Sequence, residues 1–397
     1  MSESPRSLSQ LLRSAKPDRV ADVAVAFLTG QPDVEQAEVL LADYRVFGLW
    51  PVVASEHASA GSLHDQTTAG RAFGSQRTIL ETLDGGAATR ILIPLTIWSD
   101  RLGVLAVELG DGPTTDRLAE LRTVADELAI ALSVADRSTD RYRLIRRRRR
   151  LTLAAEMQWD LLPGRALGGE NFLLAGQLEP AYAVSGDHFD WSLDGQRLTV
   201  TTLNGAGSGI DAAMLTALTV AAMRNARRSG GNLIEQAELA SDAIYGVHGG
   251  ERSVATLLME FDLGTGRVLA IDAGSPQAFR MRGGQTTPVK LEQQLPLGMF
   301  QDNRYEVQTF NLERGERVFV LSDGVHAASA RVDDMFGTRA LMTALRGTRL
   351  QPATEAVGSV MRGLHDYLGD VDLADDAVIV CLDWQGTPEE VEAAHEA

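Results

Sequence analysis

Asp323-Gly324, two residues beyond the apolar run Val318-Phe319-Val320-Leu321, constrains this 397-residue chain more than any other feature. A carboxylate at the mouth of a buried strand, with a glycine letting the backbone turn tightly behind it, suits a hard metal ion. Asp187 lies in Ser185-Gly186-Asp187-His188-Phe189-Asp190, and Asp375-Asp376 directly precede the strand-like run Ala377 to Leu382. Three acidic sites at strand edges, far apart in sequence, can converge on one metal cluster. The plainer alternative is that each acid caps a strand or turn, the common role of Asp beside Gly.

At this length two domains are expected. A hydrophobic fraction of 44% with 23% charged residues is ordinary for a soluble globular protein. The net charge of −17 argues against general affinity for nucleic acid or anionic lipid. The single Cys381 excludes an internal disulfide and reads as a small buried hydrophobe in a strand. With no signal-peptide core after Met1 and no apolar run of about 18 residues, a cytoplasmic protein is expected, with no membrane span.

Residues 7–27 carry Leu8, Leu11, Leu12, Val20, Val23 and Phe27 among polar neighbours and predict one amphipathic helix. Glu38–Val46, Ile91–Trp98 and Leu102–Leu109 predict strands, the last two joined by Ser99-Asp100-Arg101. Pro113-Thr114-Thr115-Asp116 suits the start of a helix, with a threonine to cap it and Asp116 at the positive end of its dipole. After them Leu118, Leu121, Ala125, Leu128, Leu132 and Ala135 form a heptad seam. That seam packs on the chain's own first domain or joins two chains as a signalling helix. Arg141, Arg143 and the run Arg146–Arg150 read mainly as a solvated linker surface, with nucleic-acid binding, or contact to acidic residues of a partner subunit or of the catalytic domain, as the other readings.

Leu198–Leu203 predicts a strand running into the turn Asn204-Gly205-Ala206-Gly207-Ser208-Gly209, then a helix. Such a turn can cradle an anion, but no Gly-Lys-Ser/Thr makes it a P-loop. Helices are expected near 210–228, 232–247, 337–346 and 352–368. Asp194-Gly195 predicts a hairpin turn, Asp211 a first-turn helix position, and Pro296–Met299 a loop on the domain edge.

Between residues 150 and 385 the ordered series Ala154-Ala155-Glu156-Met157-Gln158, Leu161-Leu162-Pro163, Ser185-Gly186-Asp187, Gly207-Ser208-Gly209-Ile210, Ala273-Gly274-Ser275-Pro276, Leu295-Pro296-Leu297-Gly298, Ser322-Asp323-Gly324-Val325 and Asp375-Asp376 resembles the SpoIIE-like, RsbU-type branch of the PPM metal-dependent phosphatases. The early helix, the strands, Gly70-Arg71-Ala72-Phe73 and the late hairpin are similar to a GAF domain, a pattern that a PAS-like sensor shares, and the residues name no ligand; His57 and His64 read as loop residues rather than haem ligands. The resemblances imply an α+β chain. A GAF-like α/β sensor would span 1–112, a helical, coiled-coil-like linker 113–162, a PPM αββα sandwich of two stacked antiparallel sheets 163–386, and an acidic tail 387–397.

The phosphatase resemblance also implies hydrolysis of phosphoserine or phosphothreonine by a metal-activated water, with no side-chain nucleophile. One or two Mn²⁺ or Mg²⁺ ions would be held by Asp187, Asp323, Asp375, the residue at 204 and the carbonyl of Gly205, with Asp376 as an accessory. From the residues themselves, His326, three after Asp323, and less so His248, are candidate proton donors. The substrate would be a phosphoprotein such as a STAS-type anti-sigma factor antagonist, in bacterial stress or partner-switching signalling. The homodimer is an expectation of the Leu118–Ala135 seam rather than of this resemblance. The sequence departs from the family at Asn204, where an Asp bridges two ions, and also at Ala327 and Ala377. An amide offers one neutral oxygen and cannot offset the repulsion of two close cations as a carboxylate does. A pseudophosphatase that binds a partner without turnover is therefore the alternative to the enzyme.

Overall fold

A computed structural model describes residues 7–44, 46, 48–53, 61–62, 67–83, 88–147, 151–180, 185–331, 334–335, 338–369 and 373–387. His57, His64, Arg148–Arg150 and the acidic tail beyond Thr387 lie outside them. The chain divides into two compact units, Met1–Arg150 and Leu151–Ala397.

The first unit begins with α1 (Leu8–Ser14) and α2 (Val20–Thr29). These are two helices rather than the one expected over 7–27. Pro17 supplies no backbone N–H, and Ala15 and Lys16 ahead of it are extended. Next come β1 (Val34–Ala42), β2 (Gly48–Pro51), β3 (Gly61–Ser62), α3 (Thr68–Ser75), β4 (Ile79–Thr82), β5 (Thr89–Ile97) and β6 (Asp100–Leu109). The six strands form one antiparallel sheet in the order β3-β2-β1-β6-β5-β4. The strand expected over 38–46 lies four residues earlier, because the chain turns at Asp43, whose N–H bonds the Gly48 carbonyl. Gly70, Ala72 and Phe73 fall on α3, with Ala72 and Phe73 packed on one face of the sheet.

Helix α4 (Thr115–Ala135) starts as its residues dictate, with the Thr114 hydroxyl accepting from the Arg117 N–H. Its seam is spent inside its own unit. Leu121, Ala125, Leu128, Leu132 and Ala135 are buried in one core with Leu12, Leu28, Val39, Ile93 and Val107. An apolar stripe already covered by its own sheet cannot also be the seam between two chains, so the argument for a homodimer through these residues falls. The basic segment is also committed. Within α5 (Arg141–Arg146), Arg141 pairs with Asp22, Tyr142 donates its hydroxyl to the Pro17 carbonyl, and Arg146 donates to the Ala42 carbonyl while covering the Tyr44 ring. These arginines fasten the segment to the first unit instead of forming a free basic face.

The second unit runs through α6 (Leu153–Leu161), β7 (Ala166–Gly168), β8 (Phe172–Glu179), β9 (His188–Asp194), β10 (Arg197–Gly205), α7 (Gly209–Arg228) and α8 (Leu233–His248). It continues with β11 (Val254–Asp262), β12 (Arg267–Ala273), β13 (Gln277–Arg282), β14 (Gln285–Pro288), β15 (Gln308–Asn311) and β16 (Arg317–Leu321). The last elements are α9 (Asp323–His326), β17 (Ser329–Arg331), β18 (Asp334–Met335), α10 (Thr338–Gly347), α11 (Ala353–Leu368) and β19 (Ala377–Trp384). The helices fall within a residue or so of the expected ranges.

Two antiparallel sheets, β15-β12-β11-β10-β9 and β14-β13-β16-β19-β8-β7, stack face to face. Val378, Val380 and Leu382 of β19 point into the space between the sheets with Val200, Leu257 and Val318. Ala377, Ile379 and Cys381 point the other way, onto Leu345, Val360 and Leu364 of α10 and α11. Alternation with both faces buried explains why this strand reads as one continuous apolar run. Helices α7 and α8 cover the outer face of the five-stranded sheet through Leu215, Met223, Ala237 and Ile244. The result is the expected αββα sandwich.

The segment 296–299 differs from the expected edge loop. Leu297 is fully buried and exchanges both backbone hydrogen bonds with Val254 at 2.9 Å, so it extends β11's surroundings inward.

Candidate functional site

Antiparallel pairing brings the acidic sites to one end of the sandwich. Leu203 of β10 pairs with His188 of β9, which sets the β10 exit, Asn204-Gly205, beside the β9 entrance, Asp187. The Gly205 N–H continues the ladder to the Gly186 carbonyl at 3.3 Å. In the other sheet Leu321 of β16 pairs with Ile379 of β19, so the β16 exit carries Asp323 next to the β19 entrance, where Asp375 and Asp376 sit. The Ser322 hydroxyl locks this junction, accepting from the Val378 N–H at 3.0 Å.

Asp376 joins the two sheets. Its Oδ2 accepts from the backbone N–H groups of Ser185 at 2.9 Å and Gly186 at 3.0 Å, and from Gln158 Nε2 at 3.0 Å. The Asp187 loop is thus hung from the start of β19. Gly186 takes φ +98°, a conformation that favours glycine, and its carbonyl accepts from the Thr216 hydroxyl at 2.7 Å.

Asp187 is fully buried, and among the described residues neither of its carboxylate oxygens has a hydrogen-bond partner. Burial pushes its carboxyl well above the usual carboxylate range, and the neighbouring charges of Asp375, Asp323 and Asp376 push further in the same direction; the Ser322 hydroxyl opposes the rise without reaching hydrogen-bond geometry. Asp375 is raised as well, first by burial and then by Asp323, against the lowering effect of Ser185. A buried carboxylate with no donor, ringed by other carboxylates, is unstable as an anion unless a cation joins it. That chemistry fits a divalent ion. Among the described residues, however, no group of three or more His, Cys, Asp or Glu side chains is gathered closely enough to hold an ion by itself.

Asn204 is half-buried at the β10 exit, where its Nδ2 makes a long 3.4 Å contact to the Ser275 hydroxyl. His326 meets the same residue, with Nε2 at 3.1 Å from the Ser275 carbonyl. A carbonyl can only accept, so this nitrogen carries the proton and is committed to Ser275. Burial lowers the His326 pKa, which keeps the ring neutral. Ala327 is exposed, while Ala377 is buried against α11's layer.

Asp190 lies apart from the cluster in function: its carboxylate is clamped by Arg224 at 2.7 Å and Arg227 at 3.1 Å, an ion pair between β9 and α7. Asp211 stands in the first turn of α7, and Asp194-Gly195 forms the β9–β10 turn. Gln158, Ser275 and Ser322 had no role assigned from sequence. All three stand inside the motif series of the sequence, which is the available signal. His188, also fully buried, is pulled down to about 4 by burial.

Residues 194–385 match the family model described as Stage II sporulation protein E (SpoIIE). These residues form a SpoIIE domain. The SpoIIE domain and the strands before it have the stacked-sheet fold of the SiaA PP2C domain of Pseudomonas aeruginosa, at 19% identity and a TM-score of 0.50, with 58% of this chain and 94% of that chain covered. Similar too are the RsbU and RsbW domains from Mycobacterium tuberculosis, at 19% identity and TM-score 0.49, covering 57% of this chain and 64% of that one. The PP2C domain and regulatory fragment of SpoIIE from Bacillus subtilis aligns at 15% identity and TM-score 0.47, covering 78% and 83%. No curated protein sequence matches the chain. Among the described residues no helix is long and apolar enough to cross a membrane.

Proposed function

We propose that this protein is a metal-dependent protein serine/threonine phosphatase whose SpoIIE domain is controlled by a GAF-like amino-terminal sensor. The observation that carries the reading is Asp187, buried and, among the described residues, without a hydrogen-bond partner, beside Asp323 and Asp375 at the end of a PP2C-type sandwich. Asp187, Asp323 and Asp375 would hold Mn²⁺ or Mg²⁺, with the Gly205 carbonyl available from the adjoining strand end and Asp376 acting by holding the Asp187 loop. When bound, the ion would supply an activated water and shield charge on the phosphoryl oxygens. The chain's own part is to fix the acids on rigid strand ends and to seat a phosphoserine or phosphothreonine of a partner protein above them. In the SpoIIE context a STAS-type antagonist in partner-switching signalling is the substrate class we favour. Division into sensor (1–112), helical connection (113–162), phosphatase (163–386) and tail (387–397) is part of the same proposal, as is a cytoplasmic location.

Asn204 favours a second reading, a pseudophosphatase that keeps the fold and binds a partner. Its amide, turned toward Ser275, brings no charge to the site. Manganese-dependent hydrolysis of p-nitrophenyl phosphate and of a phosphoserine protein decides between them. Turnover abolished by chelator and by Asp323→Asn supports the enzyme; metal binding without turnover supports the binding module.

A further inference from the structure

Helix α6 contributes no acid to the cluster, yet one of its side chains touches two parts of it. Gln158 is 1% exposed, and its Nε2 lies 3.1 Å from the Asp187 carbonyl and 3.0 Å from Asp376 Oδ2. The same Asp376 oxygen holds the Ser185 and Gly186 N–H groups. One amide therefore closes a ring of hydrogen bonds from α6 to the β19 entrance, to the loop, and back to Asp187, whose carboxylate has no partner among the described residues.

We infer that Gln158 is a positioning residue for the cation site, setting the place of Asp187 through its backbone and through Asp376. The inference rests on Asp187 being a cation ligand as proposed above. Three observations give it force. The bonds to Asp376 are charge-assisted and lie in a buried setting, where they are strongest. The rest of the loop is already pinned, by Thr216 at the Gly186 carbonyl and by Gly205 on the neighbouring strand, which leaves Gln158 as a direct side-chain hold on the backbone of Asp187 itself. Helix α6 is itself fixed at both ends: Ala154 and Ala155 pack on Ala213 of α7, and the Leu161 carbonyl accepts from Arg224 at 2.8 Å. Any shift of α6 along this packing carries Gln158 with it and so reaches the acids without touching an ion.

The test is calorimetric titration of the full chain with Mn²⁺ alone. Gln158→Met keeps the length of the side chain and removes both donors. Groups that orient a ligand usually contribute one to two orders of magnitude in metal affinity, so a loss of roughly 10- to 100-fold is expected. Asp376→Asn should weaken binding too, and the double variant should bind about as Asp376→Asn alone, because both changes break one network. A purely structural role would lower the melting temperature of the metal-free protein and leave the two effects on affinity additive. If Gln158→Met binds Mn²⁺ within about twofold of the parent while Asp187→Asn abolishes binding, the positioning role is overturned and the site stands. If Asp187→Asn binds like the parent, the site itself is wrong and the inference goes with it. Should Gln158→Met fail to fold, Gln158→Asn withdraws the same amide by one methylene and carries the same comparison.

Discussion

Gly324 and Asp376 approach so closely that a Cβ on the glycine would stand 1.9 Å from the Asp376 carbonyl oxygen and 2.7 Å from its carbon. No side chain of any kind fits there. The contact joins the exit of β16 to the entrance of β19, the two strand ends that carry Asp323 and Asp375.

Gly324→Ala must therefore push these strand ends apart. Overpacking of this severity costs about 1–3 kcal/mol, and it should weaken Mn²⁺ binding as well. Thermal melting and calorimetry on the same sample check both. A variant with unchanged melting and unchanged affinity would mean the strand ends yield freely.

Asp187→Asn should move two quantities in opposite directions. The amide removes a charge that burial disfavours, so the metal-free protein should melt higher at neutral pH. The same change should abolish the further rise in melting temperature that Mn²⁺ gives the parent. Melting with and without metal reads both.

Asn204→Asp places a charge on the strand end next to Asp187. A second divalent ion should then bind more tightly and phosphatase activity should increase, as calorimetric stoichiometry and a phosphoprotein assay would report. An Asn204-Gly205 dipeptide is also prone to deamidation, so aged protein should show a mass gain in the peptide spanning position 204. Failure of the fresh variant to gain either metal or activity would favour the pseudophosphatase reading.

Leu121→Glu combined with Leu128→Glu places two carboxylates in the core of the first unit, where both leucines are fully buried. The expected result is loss of cooperative melting of that unit. A still-folded protein of half the parent's mass by light scattering would instead show that the seam joins two chains.

Glu38 offers a pH test away from the site. Burial raises its carboxyl above the usual range, against the opposing charge of Arg90 at 3.2 Å. The folded state thus binds this proton more tightly than the unfolded one, and stability is lost as pH climbs through the raised value. Glu38→Gln should raise the melting temperature at neutral pH, and the gain should vanish below about pH 4, where both states are protonated. An equal gain at both pH values would assign the effect to packing.

The sandwich was legible because its central strands are short apolar runs bounded by turns and its helices are long; β19, α7 and α11 announce themselves within a residue or two. The acids were legible because each sits where an apolar run stops. The break at Pro17 was readable too, but the periodicity of Leu8 to Phe27 runs through it and outweighed it. What a single sequence hides is which partner a surface meets. The Leu118–Ala135 stripe is equally apolar whether a sheet or a second helix covers it, and only the tertiary fold chooses. Gln158 was hidden for a related reason: a buried amide on a short helix announces polarity, not the two acceptors, 29 and 218 residues away, that satisfy it.

The antiparallel pairing of β16 with β19 has a consequence beyond the core it builds. Val320 faces Val380 and Leu321 faces Ile379, and each strand presents alternate residues to opposite layers. A slip of one residue would turn every one of these side chains to the wrong layer, so the oil-filled interior tolerates a single alignment. That alignment is also what spaces Asp323 from Asp375. The distance between the two carboxylate-bearing strand ends is thus measured out by valines, a leucine and an isoleucine buried away from water, and a substitution deep in that hydrocarbon reaches the acids without touching either of them.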